Sequence, residues 1–441
     1  MSNPQVLVVG EVVLDVLDLS PEQPFIRLGG LAHACSTLGA MGIAYAAAYV
    51  SPSYLTRNVA DFFEATGDVV ATQIGETLLA PGVILIRHAQ EAIQQGYELL
   101  LRNQGEYQIY DTSLNELASL NVPDILLLPG NFPLRQVLSV LGRNPARLHV
   151  DWANASPPIS DLSFAGRPAT TLLLSTSSDH FLTGCQGRFD RLFSSVVPAF
   201  AESVLLKENR GGARYASARS GSLEAGAQLR AVRHSVGVGD CFDAAFVAMS
   251  SVEDLLTSIR RATWLSAEYG QTLNSEVFKR QALRAKAMSS DELAASPGIR
   301  LGWEERAGIS VYIAGPDFSS YDRRNIDAVD QALRYHNFRS RRPIQENGEL
   351  RPNAGEAERR HLCSADLAML AESELVVGVY DFDDPGTLVE IGIATGLNKP
   401  VILFDPNHRA DNLMLTGVCR VIAHDLDELI RAVFVLVGRR L

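Results

Sequence analysis

Long apolar runs are missing from this chain. None reaches the roughly 20 residues a helix needs to cross a bilayer, and the opening MSNPQVLVVG passes into a strand-like run without a cationic leader. Cysteine is scarce. The five present, Cys35, Cys185, Cys241, Cys363 and Cys419, form no CxxC pair, which argues against a clustered thiolate metal site or a disulfide framework and fits a reducing compartment. Cations are in deficit: 39 Lys and Arg stand against 51 Asp and Glu, a formal net charge of -12. Broad contact with a nucleic-acid backbone is therefore disfavoured, and only local basic patches remain. With 46% hydrophobic and 20% charged residues, the expectation is a folded, soluble, cytoplasmic protein with neither membrane nor nucleic-acid partners. A length of 441 residues points to two or three domains.

What is present is a repeated alternation of strands and helices. The run QVLVVGEVVLDVLDL is followed by GVILIRH, DILLLPG, RLHVDW, TTLLLST and SVLLK, with helical stretches such as LRQVLSVLG between several of them. Such alternation predicts a mainly parallel sheet covered on both faces. The pattern weakens in KAMSSDELAASPGIRLGWEERAG and then resumes as a shorter α/β series from ISVYIAG onward. The predicted boundaries are a first unit over 1–285, a linker over 286–306 and a second unit over 307–441.

The second unit holds a stretch, DDPGTLVEIGIATGLNKPVILFD, with one carboxylate, Glu390, inside an apolar helical pattern. Two readings stand side by side. Thr387 and Glu390 have capping-box spacing, in which Glu390 reaches back to a backbone amide. Alternatively Glu390 is a nucleophile. Ligands of parallel sheets bind beyond the C-terminal ends of the strands, and Asp384 and Glu390 are expected there, with Glu374 at the head of ELVVGVYD as a third acid. Tyr312 lies on the unit's first strand, the turn Gly315-Pro316 follows it, and Asn412 sits in DNLML. Arg339, Arg341 and Arg342 in RSRRP suit either a phosphate or a solvated loop.

VYIAGPDF, DDPGTLVEIGIATGLNKPVI and NLML resemble the nucleoside 2-deoxyribosyltransferases and the related nucleotide N-glycosidases over residues 308–416. The resemblance implies a flavodoxin- or Rossmann-like domain that needs no cofactor. Glu390 matches the nucleophile that forms a covalent glycosyl-enzyme, Asp384 the carboxylate that helps the base leave, and Tyr312 the residue that orients the nucleophile. Gly315 and Glu374 match substrate contacts, Glu374 standing where many relatives have Asp. Asn412 and Met414 match sugar contacts from a neighbouring subunit, which implies a homo-oligomer with shared sites. The substrates implied are nucleosides or nucleotides, with nucleobases or sugars as co-substrates and products.

RLGGLAHACSTLGAMG and HSVGVGDCFDAAF resemble the two signatures of the ribokinase-like (PfkB) sugar and nucleoside kinases over about residues 5–270. This implies an α/β/α sandwich, with ATP and Mg2+ as cofactors if the unit transfers phosphate. Asp15, Gly29, Gly30 and His33 match sugar contacts, Gly237, Val238 and Gly239 an anion hole, and Asp240 the base that takes a hydroxyl proton. The plainer reading is a glycine-rich turn with Asp240 as a helix cap. Four departures are visible: His33 stands in place of Asn, His234 in place of Asp, Val238 in place of a small residue in the anion hole, and Thr176-x-x-Asp179 where the family's N-x-x-E falls. Two whole-chain readings follow, a bifunctional enzyme or a catalytic second unit joined to a sensing or assembly module.

Overall fold

The computed structural model describes residues 3–18, 24–67, 69–88, 90–94, 96–101, 106–155, 157–351 and 353–441. Two compact units emerge, one of 1–91, 95–300 and 440–441, the other of 92–94 and 301–439. The stretch 286–306 contains the helix Ser290–Ala294, started by a Ser289–Glu292 capping box, and the single turn Trp303–Arg306.

In the first unit the apolar runs form one broad sheet. Its path is Gly221–Ala225, Ala213–Ser217, Ser203–Lys207, Thr171–Ser175, Arg147–Asp151, Asp124–Leu127, Val6–Leu17, Tyr45–Val50, Val69–Thr77 and Tyr107–Ile109. Pairing is parallel from Ser203–Lys207 to Val69–Thr77 and antiparallel at both ends. Strands such as VLLK and TLLL are buried on both faces, which explains why they read as continuous apolar runs and not as alternation. Val6–Leu17 outruns its neighbours. Its second half pairs antiparallel with Phe25–Gly30 and parallel with Val83–Ile86, which in turn pairs with Tyr97–Leu101. Leu31, Leu38, Phe246, Ile259 and Leu265 bring three helices, Leu31–Ala40, Val238–Met249 and Leu255–Gly270, into one core.

The second unit has five parallel strands in the order Arg339–Arg341, Ser310–Ala314, Leu375–Val379, Val401–Phe404, Val421–Ala423. By position in the chain this order is 2-1-3-4-5. The direction of winding therefore reverses between the first and third strands, and that is where such sheets open a crevice for ligands. The helix Pro385–Gly396 follows the third strand and packs tightly on it. A Cβ on Gly378 would lie 2.7 Å from Ile391 Cδ1, so glycine there lets the helix come close.

Candidate active site

The crevice is built from the strand Ser310–Ala314 and the helix Pro385–Gly396. Tyr312 is buried at the middle of its strand, and its hydroxyl donates to Glu390 Oε1 at 2.6 Å. Glu390 is half-buried, and burial raises its carboxyl to about 7. The Tyr312 bond opposes that rise, while the charges of Asp366 and Asp384 add to it. The Tyr312 phenol is itself raised, by burial and by the Glu390 charge, so it remains a hydrogen-bond donor. The result is a carboxyl with one oxygen held by Tyr312, poised to ionise near neutral pH.

The capping-box reading of Glu390 does not hold. Asp384 is the N-cap: its Oδ2 accepts from Thr387 N and Oγ1, both at 2.7 Å, and Pro385 occupies the first helical position. The helix therefore starts three residues earlier than the Thr387 pattern suggests. Glu390 falls in the second turn, where no orphan amide needs it. Glu374 is also corrected. It precedes the strand Leu375–Val379, accepts from Ser310 N at 2.5 Å and so marks the N-terminal edge of a parallel sheet. The crevice lies at the other edge, a five-residue strand away, roughly 15 Å.

The acid that reaches the crevice is one the sequence reading passed over. Asp366, on the helix Glu356–Glu372, acts electrostatically on both Glu390 and Tyr312. Burial raises its carboxyl, and a 2.8 Å bond from Asn347 Nδ2 opposes the rise. The one signal available was a lone Asp in the first half of SADLAML, on a helix face shared with Cys363. Gly315 ends the first strand at the crevice. Asn412 caps the helix Leu413–Val418, its oxygen accepting from Met414 N and Leu415 N at 2.9 and 3.2 Å. That helix packs against Pro385–Gly396, and Leu413 and Met414 are 82% and 72% exposed. Two of the three arginines of RSRRP are engaged, and Arg339 is exposed. Arg342 is buried and clamps Asp317 and Asp327, and Arg341 pairs with Glu346.

In the first unit the predicted residues gather, but around one another. Asp15 Oδ2 is 2.8 Å from His33 Nε2 and 3.6 Å from Arg27 Nε, and these neighbours hold its carboxyl below the usual carboxylate range against the cost of burial. His33 Nδ1 meets the Tyr269 hydroxyl at 2.9 Å. Gly29 and Gly30 flank this group, and a Cβ on Gly29 would overlap the Asp15 carboxylate. The His33 ring also presses on Gly237, whose φ of 78° suits glycine. His33 is thus part of a filled, bonded core.

Asp240 is the third residue of its helix and Gly237 is the N-cap, which corrects the cap reading of Asp240. Burial raises the Asp240 carboxyl to about 6. Of the expected anion-hole amides, Val238 N is committed to Ser235 O at 3.2 Å, leaving Gly239 and Asp240 as the first-turn donors. His234 is buried between the carbonyls of Val236 and Thr272, and burial lowers it to about 4. Lys207, also missed, is buried against Asp243 at 2.6 Å and Asp151 at 3.6 Å. A cation ending the buried strand SVLLK was its signal. Thr176 is fully buried with no partner for its hydroxyl, whereas Asp179 is exposed at the rim of a cavity of about 590 Å3 lined also by Trp152, Asn154 and His180. These two do not assemble a Mg2+ donor set. Among the described residues no cluster of three His, Cys, Asp or Glu could hold a metal.

Residues 311–419 match the family model for the nucleoside 2-deoxyribosyltransferases, so the second unit carries a domain of that family. No curated protein matches the chain in sequence. Similar solved structures include an Arabidopsis thaliana ribokinase complexed with ribose and ATP. That match is 15% identical and covers 65% of this chain and 100% of that one, at a TM-score of 0.48. A tetrameric inhibited form of Escherichia coli phosphofructokinase-2 is 11% identical over 64% and 99% at 0.47. A converted pyrophosphate-dependent myo-inositol kinase is 14% identical over 64% and 99% at 0.48.

Proposed function

We propose that the second unit cleaves or transfers the N-glycosidic bond of a nucleoside through a covalent intermediate on Glu390. The observation that carries this reading is the 2.6 Å bond from Tyr312 to a Glu390 carboxyl raised to about 7, at the crevice of a doubly wound sheet. The free oxygen of Glu390 attacks the anomeric carbon, the bond from that carbon to the base nitrogen breaks, and its electron pair leaves with the base. A proton on the base makes it a better leaving group. Asp366 suits that donation, because burial raises it and the hydrogen bond from Asn347 holds one of its oxygens. Asp384 has an oxygen committed to its helix and serves as a contact near the base. Water then releases the sugar, or a second base receives it.

The substrate class is the neutral nucleoside. Arg341 and Arg342 are paired with carboxylates, and Asp384 and the ionised Glu390 give the crevice a negative field that disfavours a 5'-phosphate. The exposed Leu413 and Met414 flank the crevice, and a second copy of the chain covering them would complete the sugar side. The test is incubation with each nucleoside and 5'-nucleotide, with and without a second free base, followed by product separation and intact-mass detection of a glycosylated chain. Full activity of a folded Glu390→Ala variant overturns the assignment.

One observation favours the second whole-chain reading over a bifunctional kinase. Asp15, the residue expected to hold sugar hydroxyls, is bonded to His33 and Arg27. The first unit is then a ribokinase-like scaffold acting as a binding or assembly module. ATP consumption by the wild-type chain on any sugar or nucleoside, lost in Asp240→Asn, restores the bifunctional reading.

A further inference from the structure

The five-residue helix Pro343–Asn347 plays no part in the chemistry described so far, yet both its ends are tied to the crevice. At its start, Arg342 donates to Asp317, in the loop after the first strand, with one contact of 2.8 Å, and to Asp327 at 2.7 Å. At its end Asn347, half-buried, donates from Nδ2 to Asp366 Oδ1 at 2.8 Å. The helix is therefore a strut between the loop that borders the substrate and the acid on Glu356–Glu372. The titratable groups sharing the surroundings of Asp366 are Glu390 on Pro385–Gly396, Tyr312 on Ser310–Ala314 and Cys363 one turn away on its own helix. None of these brings a positive charge, so the neutral amide of Asn347 is the group that holds the carboxyl in place.

We propose that Asn347 is a positioning residue for glycosyl transfer: it pins one oxygen of Asp366 so that the other, carrying the proton, faces the departing base. This rests on the reading of Asp366 as proton donor. The physical reason is a balance. Burial favours the protonated acid, and a hydrogen bond donated to the carboxylate favours the ionised one. The opposition keeps the acid able to give up its proton.

Asn347→Leu keeps a similar volume and removes the donor. Carboxyl-carbon NMR titration of the full chain reads Asp366 directly, its signal assigned by its loss in Asp366→Asn. The Asp366 midpoint is expected to rise by about one pH unit. On a nucleoside, kcat/KM near neutral pH should change with it, because the fraction of Asp366 that carries a proton there rises, with kcat changing more than KM. In an Asp366→Asn background, Asn347→Leu should alter kcat/KM by less than about twofold. An unmoved Asp366 midpoint in the folded variant, or an undiminished effect in that background, overturns the proposal. Asn347→Ser is the milder variant should the leucine perturb folding, and it must shift the midpoint in the same direction. If the wild-type chain releases no base, the glycosyl-transfer reading fails by itself, while the NMR midpoint still decides whether Asn347 governs Asp366.

Discussion

Each unit places a carboxylate in the first half of a helix, and burial raises both, Glu390 to about 7 and Asp240 to about 6. Their surroundings differ. Glu390 has one firm partner, the Tyr312 hydroxyl, and shares its crevice with Asp366 and Asp384. Asp240 stands beside groups that already satisfy one another: Asp15 with His33 and Arg27, and Lys207 with Asp243 and Asp151. A raised carboxylate is thus common to both sites. What separates the two sites is whether the groups around the carboxylate remain available to a substrate.

The largest expected effect breaks the symmetry outright. Glu390→Gln should lower base release by about 10^4-fold or more, while Asp240→Asn leaves it within about twofold, both measured as free base by chromatography. Next, Asp366→Asn should cost about 10^2- to 10^4-fold in kcat, the range for a lost general acid. The loss should be smallest for substrates whose bases leave without protonation.

The third test uses pH. Glu390 must be ionised to attack, so kcat/KM should rise with pH through about 7. Tyr312→Phe removes the bond that favours the ionised form, so this acid limb should move up by about one pH unit. Stability runs the other way. A folded-state carboxyl raised from 4.5 to about 7 leaves stability untouched below pH 4.5, lowers it progressively between pH 4.5 and about 7, and adds no further loss above that. Glu390→Gln should therefore melt at the same temperature as wild type at pH 4 and higher than wild type at pH 8. The smallest effect separates cap from nucleophile: Asp384→Ala should lose about 0.5–2 kcal/mol of helix-cap stability, read by urea titration.

Much of the second unit was legible in its residues. D-x-G-T-x-x-E after an apolar strand located Asp384 and Glu390, and a tyrosine in a buried strand located the partner of Glu390. Glu374 failed for a reason of polarity. A parallel strand has two distinct ends, and a residue at its head faces away from the ligand edge however acidic it is. Asp366 was illegible because a single Asp on a helix of mixed composition looks the same whether it faces solvent or a crevice. The first unit shows the converse. Asp15, His33, Gly237 and Asp240 do come together, but their types could not reveal that Asp15 and His33 would bond each other.

The sequence by itself determined the strand and helix order and the division into two α/β units, because apolar periodicity and turn residues act over a few neighbours. Only the tertiary structure decided which acid joins Glu390, where its helix begins, and that Asp15 is already occupied. Those are questions of distance and orientation between segments far apart in the chain. Burial and hydrogen bonding across such distances exist only once the sheet has brought the segments together.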